Sequence, residues 1–293
     1  MEHQLWLAIV AVLCEIDKSR PRTDVRFSDQ RIVAVFYWAV LHDRPLSWAA
    51  AKQNWPIWLR RQPLPSCSTL SRRLRSQRVL ALLQALDQRL VRQTRAGCLV
   101  WLLDGKPLTI SGVSKDRQAG YGRAARSMAK GYKLHVLMAA DNTLAEWRLA
   151  PMNVDERQMA ARMLRRASAQ GYIVTDANYD SNALHRICDE RGNLQLVAPR
   201  RYGPGKGTGH RRQTAGRRRS MALLEGPSAA FGRGLLAQRS SIERRFGNLT
   251  NWGGGLTHLP PWVRTYRRVH RWVQAKLVLQ ALKVQRQQTT YVA

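Results

Sequence analysis

Three acidic side chains in this chain stand where they could do chemistry. Asp176 closes the apolar, β-branched run Gly171-Tyr-Ile-Val-Thr and is followed by Ala-Asn-Tyr-Asp180-Ser. Asp104 closes a second apolar run, Cys98-Leu-Val-Trp-Leu-Leu, and is followed by Gly-Lys-Pro. Both runs read as buried strands, and ligands of α/β sheets bind beyond the carboxyl ends of the strands. The third acid, Glu243, falls in Arg239-Ser-Ser-Ile-Glu243-Arg-Arg-Phe246, a helical stretch whose inward stripe is Ile242, Phe246 and Leu249. Arg239 precedes Glu243 by one helical turn, the less favourable order for a helix-stabilising pair, so a structural motive for Glu243 is weak. If the two strands are neighbours, the aspartates meet at one sheet edge and the glutamate closes the cluster. Crowded carboxylates repel, and a divalent cation removes that cost. Oxygen-only ligands select hard ions, Mg²⁺ or Mn²⁺. Competing readings exist for single residues. An acid ending a strand is commonly a turn residue; Asp180 or Ser181 reads as the cap of the next helix; and Glu225, beside Gly226-Pro227, reads as a loop acid. Asn178 is expected to supply a left-handed turn, and His135 to face a neighbouring strand.

The charge balance names the substrate class. With 49 Lys and Arg against 19 Asp and Glu, the net charge is +30, which implies a polyanionic partner, ordinarily nucleic acid. Residues 200–293 keep only Glu225 and Glu243 as acids. Residues 200–220 hold eight Arg or Lys, five Gly and no acid, and read as a flexible basic loop offering Arg211, Arg212, Arg217, Arg218 and Arg219 to phosphate. A polar loop over 111–130 offers Arg123, Arg126 and Lys130. A closing helix, roughly 262–285, carries Arg264, Arg267, Arg268 and Arg271 as one stripe opposite Tyr266, Val269, Val273 and Leu277. On such a partner, two divalent ions roughly 3.5–4 Å apart would activate a water or 3′-hydroxyl and stabilise the leaving oxygen of a phosphodiester. The four cysteines show neither a CxxC pair nor metal spacing. No run approaches the length of a membrane span, and no signal peptide is indicated. The expectation is a soluble cytoplasmic, nucleoid-associated protein.

The elements that must position these groups fall into two parts. Residues 1–97 read as an all-α domain. In it, a Ser28-capped helix, a short helix from Ser47, the turn at Pro63-Leu-Pro-Ser66 and the arginine-rich helix around Arg72, Arg73, Arg75 and Arg78 resemble a helix-turn-helix. Its Ser71, Arg72 and Arg75 would face the major groove. The alternative is a helical bundle with a solvated basic face. Residues 98–293 read as strands over 98–103, 132–138, 144–149, 171–176 and 194–198, with helices from Asp155 and over 181–191. The fold class expected is α/β, a mixed five-stranded sheet flanked by helices.

Taken together, strand-Asp104-Gly-x-Pro-Leu, Lys130-Gly-Tyr-Lys-Leu-His135, Thr175-Asp-Ala-Asn-Tyr-Asp-Ser181, Leu196-Val-Ala-Pro199 and Arg239-x-x-x-Glu243-Arg-x-Phe246 resemble, in order and spacing, the DDE transposases of bacterial insertion sequences. The resemblance spans about residues 98–285 and implies an RNase H-like fold. It also implies Asp104, Asp176 and Glu243 as the catalytic, metal-binding triad, with Arg239 paired to the third acid. Leu236 and Thr250 stand where the family signature has Tyr and Lys. The resemblance further implies Mg²⁺- or Mn²⁺-dependent nicking and strand transfer, acting on double-stranded DNA (the element's terminal inverted repeats and its target) by a homodimer or larger complex. A transposase-derived DNA-binding protein without cleavage, and an RNase H-like nuclease that cuts without joining, are the competing functions.

Overall fold

The computed structural model describes residues 2–17, 25–92, 97–124, 127–139, 143–201, 213–240, 242, 246–247, 256 and 258–292, with side chains through 286. Along the chain the helices are α1 (Glu2–Ile16), α2 (Asp29–Leu41), α3 (Leu46–Ala49), α4 (Cys67–Arg73), α5 (Gln77–Leu90), α6 (Glu156–Leu164), α7 (Asn182–Arg191), α8 (Ala215–Glu225), α9 (Ala229–Ala237) and α10 (Tyr266–Val292). The strands are β1 (Val100–Thr109), β2 (Gly120–Ala124), β3 (Ser127–Ala139), β4 (Leu144–Pro151), β5 (Gly171–Val174) and β6 (Leu194–Val197). They form two compact units, and these do not follow a division at residue 97. One is Met1–Val91, Leu249–Leu256 and Pro260–Ala293; the other is Arg92–Asn248 and Thr257–Leu259.

In the helical unit α2 is central. Ser28 caps it by accepting from the Arg31 N–H, and its residues from Ile32 to Leu41 are all buried. Trp38 stacks on Trp55 with centroids 4.8 Å apart, and Trp6 stands edge-on to both. Each buried indole N–H finds a carbonyl: Trp6 on Ala34, Trp38 on Asn54 and Trp55 on Ala49, which is how tryptophan is buried without cost to its polar edge. The closing helix belongs here. Val269, Val273 and Leu277 are buried, α10 packs on α5, α2 and α1, and Lys276 Nζ lies 2.5 Å from Asp43 Oδ1. Residues 50–66 separate α3 from α4, so the short helix from Ser47 is not joined to the arginine-rich α4 by a short turn, whereas three residues, 74–76, join α4 to α5.

The sheet unit is mixed α/β, with an RNase H-like architecture. Its strand order is β2-β3-β1-β5-β6, and β4 also pairs β3. The β1/β5 and β5/β6 pairs are parallel, the others antiparallel. Among the described residues six strands form the sheet where five were expected, because β2 lies in the stretch read as a loop. One face buries Trp101, Leu103, Leu137, Ile173 and Leu196 beneath α6 and α7. Gly171 begins β5 with φ 91°, and a Cβ there would sit 2.3 Å from the Leu99 carbonyl oxygen; only glycine lets the two strands meet. The segment 200–220 is not wholly a loop: α8 starts at Ala215, capped by Thr214.

Candidate active site

Strand β1 continues well past Asp104, contrary to the reading that it stops there. Gly105 and Pro107 suggested a turn, yet the ladder with β3 runs through to Thr109↔Gly131. The Tyr172 N–H donates to Leu99 O and the Ile110 N–H to Lys130 O, so odd-numbered β1 residues turn their backbone groups toward β5 and even-numbered ones toward β3. Pro107, lacking an N–H, therefore faces the side where β5 has already ended, the edge position in which proline is tolerated. The last β1/β5 pair is Leu102↔Val174. Asp104 stands two residues further along β1 and Asp176, still in extended backbone, two residues past the end of β5, and the two-residue side-chain period puts both carboxylates on the same face where the sheet opens.

Asp176 is the N-cap of a 3₁₀ turn, Ala177–Tyr179, its Oδ1 accepting from the Asn178 N–H at 2.8 Å. Asn178 thus shapes the turn as a donor and not through a left-handed backbone, since among the described residues Asp43 and Thr265 are the non-glycine ones with positive φ. Asp104 Oδ1 accepts from the Gly105 N–H at 2.7 Å. Burial pushes its carboxyl up to about 6, with Asp176 and Glu156 adding to the rise, against the Gly105 hydrogen bond and the attraction of Arg239. Arg239 Nη2 lies 3.8 Å from Asp176 Oδ2, so one guanidinium serves both acids. Glu243 lies outside the described residues, as do Arg126, Arg211, Arg212, Leu249 and Thr250.

On the other face of the sheet, that of Gly105 and Pro107 beneath α6 and α7, stand polar groups that sequence reasoning missed. Tyr179 is fully buried. Burial, followed by the charges of Glu156, Asp104 and Asp176, holds its phenol well above its ordinary value, so it stays protonated. Glu156, read only as part of a helix start, forms an ion pair with the buried Lys133 on β3. The adjacent acidic pair Asp155-Glu156 was the available signal, since Asp155 alone suffices for the cap. His135 is buried, and among the described residues neither ring nitrogen has a hydrogen-bond partner; burial lowers it to about 4, so the ring is neutral. A Cβ on Gly105 would lie 3.1 Å from Lys133 Cδ and 3.3 Å from His135 Nδ1.

Asp180 does not cap α7, and its carboxylate is engaged within the protein. Ser181 caps α7, accepting from the Leu184 N–H. Asp180 is buried against the equally buried Arg217, with Nε–Oδ1 2.7 Å and Nη2–Oδ2 2.8 Å. Burial opposes its charge, but Arg217, His185 and the Arg201 N–H outweigh that and hold it well below its ordinary value. One carboxylate thereby fastens Arg201 and Arg217, on either side of the basic segment. Glu225, the last residue of α8 and not a loop acid, pairs with Arg200.

The basic residues expected on phosphate separate into two groups. Arg217 is in the Asp180 pair; Arg73 pairs with Asp29 at 2.6 Å. Arg219 bonds Gln195 and Asp189, Arg264 donates to the Pro260 and Val263 carbonyls, and Lys130 donates to Ser114 O and lies over Tyr121. Arg72, Arg75, Arg123, Arg218, Arg267 and Arg268 are exposed, and Arg271 is largely buried.

Among the described residues no group of three or more His, Cys, Asp or Glu side chains is gathered as a metal site. Asp104 and Asp176 nonetheless fit a hard divalent ion: both offer carboxylate oxygens, and the half-buried Asp104 carries a charge its surroundings do not fully compensate. Also among the described residues, no helix is long and apolar enough to cross a membrane. Comparison with curated proteins and with solved structures gives no match. A family model described as a transposase DDE domain matches residues 97–279, the stretch from just before β1 into α10. That is well over half of the chain, and the protein belongs to this transposase family.

Proposed function

We propose that the protein is a DNA transposase in which Asp104 and Asp176, with Glu243 as third acid, hold Mg²⁺ or Mn²⁺ for cleavage and strand transfer at the ends of a mobile element. The observation that supports this is that Asp104 and Asp176 each follow by two residues the last pair of the parallel strands β1 and β5, Leu102↔Val174, where the sheet opens. When bound, divalent ions at such a site, two in the usual arrangement, supply charge neutralisation for the attacking and leaving oxygens of a phosphodiester. The chain's own groups do the rest. Asp104 and Asp176 fix the position at which the scissile phosphate is held. Arg239, attracted to both acids, keeps them together before substrate arrives. Double-stranded DNA, a homodimer or larger complex on it, and a cytoplasmic, nucleoid-associated location follow from this reading.

The test is nicking and joining of a DNA fragment carrying the element ends, with Mg²⁺ or Mn²⁺. Asp104→Asn, Asp176→Asn and Glu243→Gln should each abolish both steps while DNA affinity persists. Normal cutting by all three variants would refute the assignment. Wild-type binding without cutting would favour a cleavage-silent DNA-binding protein, and cutting without joining a nuclease.

A further inference from the structure

The helical unit carries a cluster of positive charge that makes no sense within the protein alone. Helix α10 opens with Arg267 and Arg268 in its first turn and Arg271 in its second, and that first turn holds no acid. Cations there oppose the helix dipole, whose amino end is itself positive and favours anions. Arg271 is only 9% exposed, and Arg75, just beyond the end of α4, joins the same field: burial, then Arg268, Arg75 and Arg267, lower the Arg271 guanidinium from its ordinary value. Two acids of this unit are engaged elsewhere, Asp29 with Arg73 and Arg78 and Asp43 with Lys276. Among the described residues, none of these four arginines forms an ion pair with an acid. A largely buried, unpaired guanidinium among like charges is retained at a stability cost. A ligand that brings negative charge removes that cost.

We infer that the amino-terminal turns of α10, with Arg271 at their centre and Arg75, Arg267 and Arg268 around it, form a seat for the phosphate backbone of duplex DNA. This rests on the reading of the protein as one that acts on DNA. It places backbone anchoring on two elements far apart in sequence. Anchoring of this kind positions the duplex without reading its sequence, so the seat holds DNA of any sequence.

Binding of a fluorescent duplex of arbitrary sequence, without metal ions and over a range of salt concentrations, tests the inference alongside the thermal midpoint of the free protein. Two variants are used, Arg271→Met and the exposed double variant Arg267→Gln/Arg268→Gln. Affinity should fall by roughly three- to tenfold per arginine, and the log–log salt slope should become shallower by about 0.9 for each phosphate no longer neutralised. The midpoint of free Arg271→Met should rise or hold, because a buried uncompensated charge has gone. Unchanged affinity and slope in both variants would overturn the inference. So would a midpoint lowered by several degrees in Arg271→Met, which would reveal an internal partner. Equal losses on single-stranded RNA of the same length would overturn the assignment to duplex DNA. The assay contains neither metal nor element ends, so its failure leaves the cleavage test standing, and the reverse also holds.

Discussion

Asp104 and the cross-strand partner of its neighbour Gly105, His135, are displaced by burial in opposite directions, Asp104 to about 6 and His135 to about 4. The signs follow from which state holds the proton. Asp104 keeps its proton in the folded protein where the unfolded chain has released it, so its contribution to stability is present at low pH and lost as pH rises through about 6. His135 stays neutral in the folded protein where the unfolded chain is protonated, so its contribution is present above about 6.5 and lost as pH falls toward 4. Each amounts to on the order of 2–3 kcal/mol at most, and over pH 4–6.5 the two oppose one another. Thermal unfolding in chelator should therefore show Asp104→Asn gaining stability with rising pH relative to wild type, and His135→Asn losing it. Parallel pH profiles for all three proteins would refute the placement of these groups. The carboxylates themselves were legible from strand runs ending in acid. Glu156, Tyr179 and His135 were not, because their roles arise from which face of β3, α6 and the 3₁₀ turn meet, and spacing along the chain does not state that.

At the scale of elements, the site depends on β5 lying level with β1. Gly171 makes this possible, with a left-handed backbone and Leu99 O against its missing side chain. Gly171→Ala should destabilise the sheet unit by more than about 1 kcal/mol, read as a lowered denaturant midpoint, and an unchanged midpoint would contradict the close approach. A second element-level anchor is the Asp180–Arg217 pair. Arg217→Met leaves a buried carboxylate uncompensated and should cost about 3–5 kcal/mol; Asp180→Asn with Arg217→Met should recover part of that loss. Equal losses in single and double variants would mean that the pair is not coupled. The strands of the core were readable from their apolar runs, as was the cap of α2 at Ser28. Strand β2 was not, because Gly120-Tyr-Gly-Arg-Ala exposes Tyr121 and Arg123 and buries little beyond Gly122. The extension of β1 beyond Asp104 was hidden by Gly105 and Pro107, whose turn character is overridden by the ladder with β3 on one side and the open edge on the other. Asp180 looked like a cap because its partner lies 37 residues away on α8.

For the whole molecule, the charge of +30 set the partner class, and the family match agrees with it. The chain order misled on organisation: a long apolar stripe on α10 says that the helix packs, but not that its partners are the first helices of the chain. The central claim is that Asp104 and Asp176 act together on a divalent ion, and Mn²⁺ binding reports on it most directly. Titration followed by the loss of the free-ion electron paramagnetic resonance signal should show Mn²⁺ taken up by wild type. Uptake should be strongly weakened in both Asp104→Asn and Asp176→Asn and retained in Asp189→Asn. Wild-type uptake in either of the first two variants would contradict the account.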